Sequence, residues 1–367
     1  AMPRPVFMLL RLLSGWPART VRRAPGICVD ILLVLLALGH TAPAAATPIE
    51  SSLRYCDAPT DPGPAVADRL LQVAALAKAE LEASGQRVAI VARSGQALGW
   101  LGHRYSHAGV SLKASPQGPW AVRQLYLACD EQRPRLFDQG MSGFVMGVHD
   151  AAEGHIALLL LPPAASTGLE QAALDDRLAL QLLAGDYSAN AFAYSLLYQN
   201  CNQWLAELLA AAWRNDPPQP ASATAGLAPM AEGMASAMDT APGDSPPPSG
   251  QHTRAQAQQW LRQQGYRPSV VHVKWYPLVW LARAGAVPWL HTDDHPPADL
   301  AAARLQVSMP ASIEAFVRQQ WPETRRVEIC HTAQHAVIRR GWTPLPPGCQ
   351  PEAGDEQVSL ENPVAFQ

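Results

Sequence analysis

Gln199-Asn-Cys201-Asn-Gln-Trp-Leu-Ala-Glu207 opens a helix predicted over Asn200 to Trp213, and Tyr105-Ser-His107-Ala-Gly-Val110 lies on a strand predicted over Tyr105 to Lys113. A cysteine at a helix start and a histidine on a strand form a pairing with chemical potential. The helix dipole and its free amide donors lower a thiol's pKa, an adjacent imidazole can take its proton, and the same amides can hold an oxyanion. A second reading stands beside this one. Cys201 shares its helical face with Trp204, Leu205, Leu208, Leu209 and Ala212, so it also reads as a small buried hydrophobe. Strand alternation puts Ala108, Val110 and Leu112 on one face and Tyr105, His107 and Gly109 on the other, so His107 does not point with the apolar set. A solvated histidine is the alternative there.

Upstream, a helix is predicted from Gly63 to Ala83, closed by Ser84-Gly85, and a strand from Arg87 to Ala92. Ala114-Ser-Pro-Gln-Gly118 reads as a hairpin turn between the histidine strand and a second strand, Trp120 to Cys129. His155 to Leu161 is a wholly apolar run of buried-strand type, and Gly168 to Ala184 is helical. From Asn215 to Gly250 the chain is Pro, Ala, Ser, Gly and Met with almost no charge or periodicity, which reads as a disordered insertion. Beyond it, Thr253 to Gln264 is predicted helical, Arg304 to Met309 a strand, and Pro310 to Gln320 a helix with proline at its start. This order of elements indicates an α+β fold: antiparallel strands packed on the cysteine-bearing helix in a core over 47–214, continued over 251–367 by an α/β extension that is part of the same domain and ends in a flexible tail.

The first forty-six residues read as a targeting segment. Arg4, Arg11, Arg19, Arg22 and Arg23 precede the apolar run Ile31 to Leu38 and the small residues Ala44-Ala-Ala46, the order of a secretory signal. The expected location is periplasmic or secreted, with no membrane span after cleavage. Of 28 basic and 31 acidic residues the segment removes five Arg and one Asp, leaving 23 against 30, a net charge of about −7. That excess, with no clustered basic face, argues against nucleic acid as a partner.

Five cysteines remain after the segment: Cys56, Cys129, Cys201, Cys330 and Cys349. In an oxidising compartment an odd number leaves one thiol unpaired. Cys330 and Cys349 lie close together, and Cys56 and Cys129 flank the first structured block, so these are the natural pairs and Cys201 the remaining thiol. No CxxC or Cys/His ladder suggests zinc, and no metal or other cofactor is expected.

The Ser-His-Ala-Gly-Val strand followed far downstream by Gln-Asn-Cys-Asn-Gln-Trp at a helix start resembles the circularly permuted papain-like group, which includes NlpC-type cell-wall peptidases and relatives of lecithin:retinol acyltransferase. More closely, the chain resembles a bacterial exported family, domain of unknown function 2145. The motifs that carry this are Val88-Ala-Ile-Val-Ala-Arg93-Ser-Gly-Gln96, Ser106-His107, Leu136-Phe-Asp-Gln-Gly140, Tyr198-Gln-Asn-Cys-Asn-Gln-Trp204 and Asp293-Asp-His-Pro296. The papain-like resemblance implies Cys201 as nucleophile, His107 as base and a polar orienting residue on the next strand. Gln124 is the candidate: a hairpin turning at Ser115-Pro116 pairs residues whose numbers sum to 231, setting Gln124 opposite His107. A solvent-facing strand glutamine is the other reading. Tyr105, Asn200, Asn202 and Trp204 are the expected substrate-binding side chains.

His291-Thr-Asp-Asp-His295-Pro gathers two histidines and two carboxylates, but it lacks the distant ligands that complete a metal site and reads as a hydrogen-bonded turn. Two functional classes follow. One is a periplasmic thiol hydrolase or acyl-transfer enzyme acting on an amide or ester, such as a cell-wall peptide. The other is a catalytically inactive papain-like scaffold that binds a peptide, lipid or protein partner in the cell envelope.

Overall fold

The computed structural model describes residues 63–95, 98–128, 131–147, 152–214, 249–273 and 289–360. The targeting segment, the expected Cys56–Cys129 bridge, residues 215–248 of the predicted insertion and the tail from 361 onward lie outside the described residues.

The architecture is α+β around one antiparallel sheet. Its eight strands are β1 (Val88–Arg93), β2 (His107–Leu112), β3 (Ala121–Ala128), β4 (Arg133–Gln139), β5 (Gly154–Leu160), β10 (Arg325–His331), β11 (His335–Arg340) and β12 (Glu356–Ser359). They run in the order β12-β11-β10-β5-β1-β2-β3-β4. The C-terminal hairpin β10–β11 builds the sheet by pairing with β5. Burial of whole strands on both faces follows from helices lying on each side.

On one side lie α1 (Pro64–Ala83) and α2 (Met141–Met146), whose Leu70, Val73, Leu81 and Phe144 pack with Ala89, Val91, Val122, Ile156 and Leu158. Proline at the first turn of α1 and Gly85 at φ +72 just past its end suit those two positions, the first lacking an amide that would go unused and the second tolerating the left-handed backbone. The opposite side carries α3 (Pro163–Leu174), α4 (Asp176–Gln181), α5 (Cys201–Trp213), α6 (Ser249–Gln263) and α8 (Pro310–Gln320). Their apolar residues meet Ile90, Ala92, Ala108, Val110, Leu112 and Leu159. The single helix expected over Gly168 to Ala184 is two helices, because Asp175 leaves the helical conformation and its carboxylate caps α4 by accepting from Leu178 N.

Short pieces complete the fold: the parallel pair β6 (Asp186–Tyr187) and β7 (Tyr198–Gln199), the pair β8 (Ser269–His272) and β9 (Arg304–Val307), and α7 (Pro297–Ala301). Among the described residues no helix is long and apolar enough to cross a membrane.

Candidate functional site

The helix α5 begins where the sequence places it. Asn200, extended at φ −106 and ψ 173, accepts from Gln203 N through Oδ1 at 2.7 Å and so caps the helix. Cys201 is its first residue, is in no disulfide and is buried. From Cys201 to Ala210 every residue of α5 is buried, so its polar side chains must find partners inside the protein.

Most of them do so, although Asn202 Oδ1 and Gln203 Oε1 are left without a hydrogen-bond partner. Gln199 donates to Leu182 O at 2.8 Å and to Glu207 at 2.7 Å, Gln203 donates to Ser195 O at 3.0 Å, and Trp204 donates to Ala179 O at 3.2 Å. Glu207, with no exposed surface, pairs with Arg254 at 2.8 Å and accepts from Gln258 at 2.7 Å. Arg254 also donates to Leu196 O, Ser195 O and Tyr198 O. The Gln-Asn-Cys-Asn-Gln-Trp stretch is thereby the seam that binds α5 to α6 and to the loop before it. Of the expected substrate-binding residues, Trp204 lies in the core and Asn200 serves the cap, while Asn202 donates to Ser106 O at 3.1 Å. Tyr105 donates to Glu328 at 2.7 Å and accepts from Arg326 at 3.2 Å.

His107 and Gln124 meet, with a corrected register. Pairing across β2 and β3 sets Val110 opposite Arg123 and Leu112 opposite Ala121, a sum of 233 and not 231. The turn takes up two more residues than expected, through Trp120 at φ 65. A shift of two keeps each side chain on its face, so the His107 ring still reaches Gln124, its Nε2 donating to Oε1 at 2.9 Å. Gln124 in turn donates to Gln139 at 2.8 Å. The imidazole stacks on Tyr126, centroids 4.3 Å apart. Arg93, paired with His107 across β1 and β2, donates to Tyr126 and to Gly147 O and lies over the Phe144 ring at 5.4 Å. Burial, reinforced by the Arg93 charge, holds the His107 pKa well below its ordinary value, so the ring is neutral.

This polar group faces away from the thiol. Its neighbours Val91, Val122 and Phe144 belong to the α1/α2 side, whereas Cys201 packs in the opposite layer with Ala108 and Trp204. The sheet lies between imidazole and sulfur, and the expected Cys201–His107 dyad is not assembled. Ala108, the residue after the histidine, is the one turned toward α5.

The Asp293-Asp-His295 loop packs against the start of α5 as a turn. Tyr198 donates to Asp293 at 3.1 Å and stacks on His291 with centroids 4.2 Å apart, Asp294 accepts from Phe192 N at 3.0 Å, and His295 donates to Asn190 O at 2.7 Å. Pro296 then leads into α7. Cys330 and Cys349 form the expected disulfide, with α-carbons 5.4 Å apart.

Two buried ionic groups escaped the sequence reading. One is Glu207–Arg254; a glutamate in so apolar a helix was a signal, but nothing local points to Arg254. The other is Glu328, which accepts from Arg104 and Tyr105 at 2.7 Å and from Arg326 at 3.0 Å. Burial raises its pKa, but the contacts with His155, Arg326, Tyr105 and Leu345 N outweigh it and hold the carboxyl far below the ordinary range.

Residues 80–317 match the family described as "Uncharacterized protein conserved in bacteria (DUF2145)". The chain belongs to this family. No curated protein and no solved structure matches it. In this DUF2145 chain the matched span runs from the end of α1 to α8, so it takes in His107, Gln124, Cys201 and the Asp293 loop but stops short of β10.

Proposed function

We propose that this protein is an exported binding scaffold of the cell envelope that engages a peptide ligand without thiol turnover. The observation that carries the reading is the placement of His107 on the face of the sheet opposite Cys201, with its Nε2 committed to Gln124. From that side of the sheet His107 is not placed to take the Cys201 proton, the step that activates a thiol for attack. The order of histidine strand before cysteine helix, packed on an antiparallel sheet, is compatible with a permuted papain-like core whose catalytic geometry has been given over to packing.

The ligand-facing surface in this reading lies beside the start of α5. Leu197 and Trp289 are 58% and 45% exposed, next to the stacked Tyr198–His291 pair, and Trp289 O accepts from Ala189 N at 2.9 Å. Exposed aromatic and aliphatic side chains on a fixed backbone suit apolar side chains of a peptide. Titration with cell-wall peptide fragments, followed by product analysis, tests this. Binding without product, weakened at least tenfold by Trp289→Ala, is the expected result. Product formation lost in Cys201→Ser would instead establish a thiol hydrolase, the reading favoured by a cysteine outside any disulfide at the first position of α5.

A further inference from the structure

Among the described residues, one group of metal-ligating side chains converges: Glu153, Cys330 and Cys349 offer donor atoms within 4.8 Å of one another. His155 completes it, since its Nε2 lies 3.4 Å from Glu153 Oε1 and 3.6 Å from Cys330 Sγ. The geometry points to a redox-gated zinc site: with the Cys330–Cys349 bridge reduced, both thiolates, His155 Nε2 and Glu153 bind one Zn²⁺.

Tetrahedral zinc, with Zn–N and Zn–O of about 2.05 Å and Zn–S of about 2.3 Å, has N···O edges of about 3.4 Å and N···S edges of about 3.6 Å. Both edges are present in the disulfide form, 3.4 Å from His155 to Glu153 and 3.6 Å from His155 to Cys330. The sulfur pair must spread to about 3.8 Å and Cys349 Sγ must move to about 3.6 Å from His155 Nε2 for the same tetrahedron, a shift that opening the bridge allows. Two thiolates with one imidazole and one carboxylate form a donor set for zinc and for its tetrahedral surrogate Co²⁺.

The surroundings supply the outer layer that such a site needs. His155 Nδ1 lies 3.5 Å from Oε1 of the buried Glu328, so a carboxylate backs the imidazole on the side away from the sulfurs and fixes Nε2 as the ligating atom. The loop bearing Cys349 is held independently of the bridge: Gly348 N donates to Glu153 at 3.2 Å, Leu345 N to Glu328 at 2.9 Å, and His335 Nε2 to Cys349 O at 3.3 Å. Cys349 itself sits at φ 52, a left-handed conformation unfavourable for a side-chain-bearing residue and found where a loop is fixed by its surroundings. Opening the disulfide therefore leaves the sulfurs beside one another.

A dithiol donates two electrons and two protons, splitting the S–S bond into two thiols while itself closing to a disulfide. Zinc then displaces both thiol protons as two Zn–S bonds form. A phosphine does the same in vitro, ending as the phosphine oxide with oxygen from water.

The test is Co²⁺ titration of the full chain, with and without phosphine reduction, in the absence of oxygen. Reduced protein should take up one equivalent with sulfur-to-cobalt charge-transfer absorption and tetrahedral d–d bands, both erased by Zn²⁺; oxidised protein should show neither. His155→Ala and the double variant Cys330→Ser/Cys349→Ser should lose the bands, Glu328→Gln should weaken affinity roughly 10–100-fold, and Cys201→Ser should change nothing. Should reduction unfold the chain, Zn²⁺ should restore its near-ultraviolet circular dichroism. No bands in reduced protein, bands that survive in the double cysteine variant, or failure of zinc to restore an unfolded reduced chain would each overturn the proposal.

Discussion

His107 Nε2 donates to Gln124 Oε1 at 2.9 Å on the side of the sheet that α1 and α2 cover, and the thiol of Cys201 lies in the layer on the other side. The pair is a buried polar element linking β2 to β3 and, through Gln139, to β4. Gln124→Ala would strand the His107 donor and the Gln139 acceptor. It should destabilise the protein by about 1–3 kcal/mol, read by denaturant unfolding. Gln124→Glu, which keeps an acceptor for His107, should cost less than Gln124→Ala.

The depressed pKa of His107 makes stability depend on pH with a defined sign. In the unfolded chain the imidazole takes a proton near its ordinary value of about 6.5, while the folded chain does not until a much lower pH. Its contribution is therefore full above about pH 6.5 and declines as the pH falls below that value toward the folded pKa. The melting temperature should drop between pH 7 and pH 5, and His107→Gln should flatten that slope. An equally steep slope in the variant would assign the dependence to other groups.

Glu207 and Arg254 are both buried, at 0% and 1% exposure, so removing one leaves an uncompensated charge in the core. Arg254→Met or Glu207→Leu alone should cost about 3–5 kcal/mol, and the double variant less than the larger single one, measured by a double-mutant cycle. Additive losses would show that the two charges do not depend on each other.

The Cys330–Cys349 bridge closes a loop with a sequence separation of 19. By chain entropy its loss should cost about 3 kcal/mol without metal. Comparing unfolding of the oxidised protein with Cys330→Ser/Cys349→Ser measures it.

Much of the fold was legible because its elements follow simple patterns. The alternation along β2, the apolar run of β5, the proline that opens α8 and the cap at Asn200 each have a local physical cause. The C-terminal strands β10 to β12 were not legible, since Arg325-Arg-Val-Glu-Ile-Cys-His331 carries buried charges whose partners, Glu314, Tyr105 and His155, come from distant parts of the chain. The register of Gln124 was missed by two residues because Trp120 adopts a left-handed backbone that no sequence signal announces. The dyad failed for a reason the alternation itself contained. The apolar side of α5 packs on the apolar side of β2, so Ala108, Val110 and Leu112 face the cysteine helix and His107 does not. Side-chain direction within an element outranks proximity of motifs.

The rate at which Cys201 is alkylated in the folded protein tests the central claim most directly. With iodoacetamide at pH 6, followed by peptide mass mapping, a thiol that is 5% exposed and packed in the layer opposite His107 should remain unmodified until denaturant is added, and His107→Ala should not change its rate. Rapid modification of the native protein that slows in His107→Ala would contradict the scaffold and show an activated nucleophile.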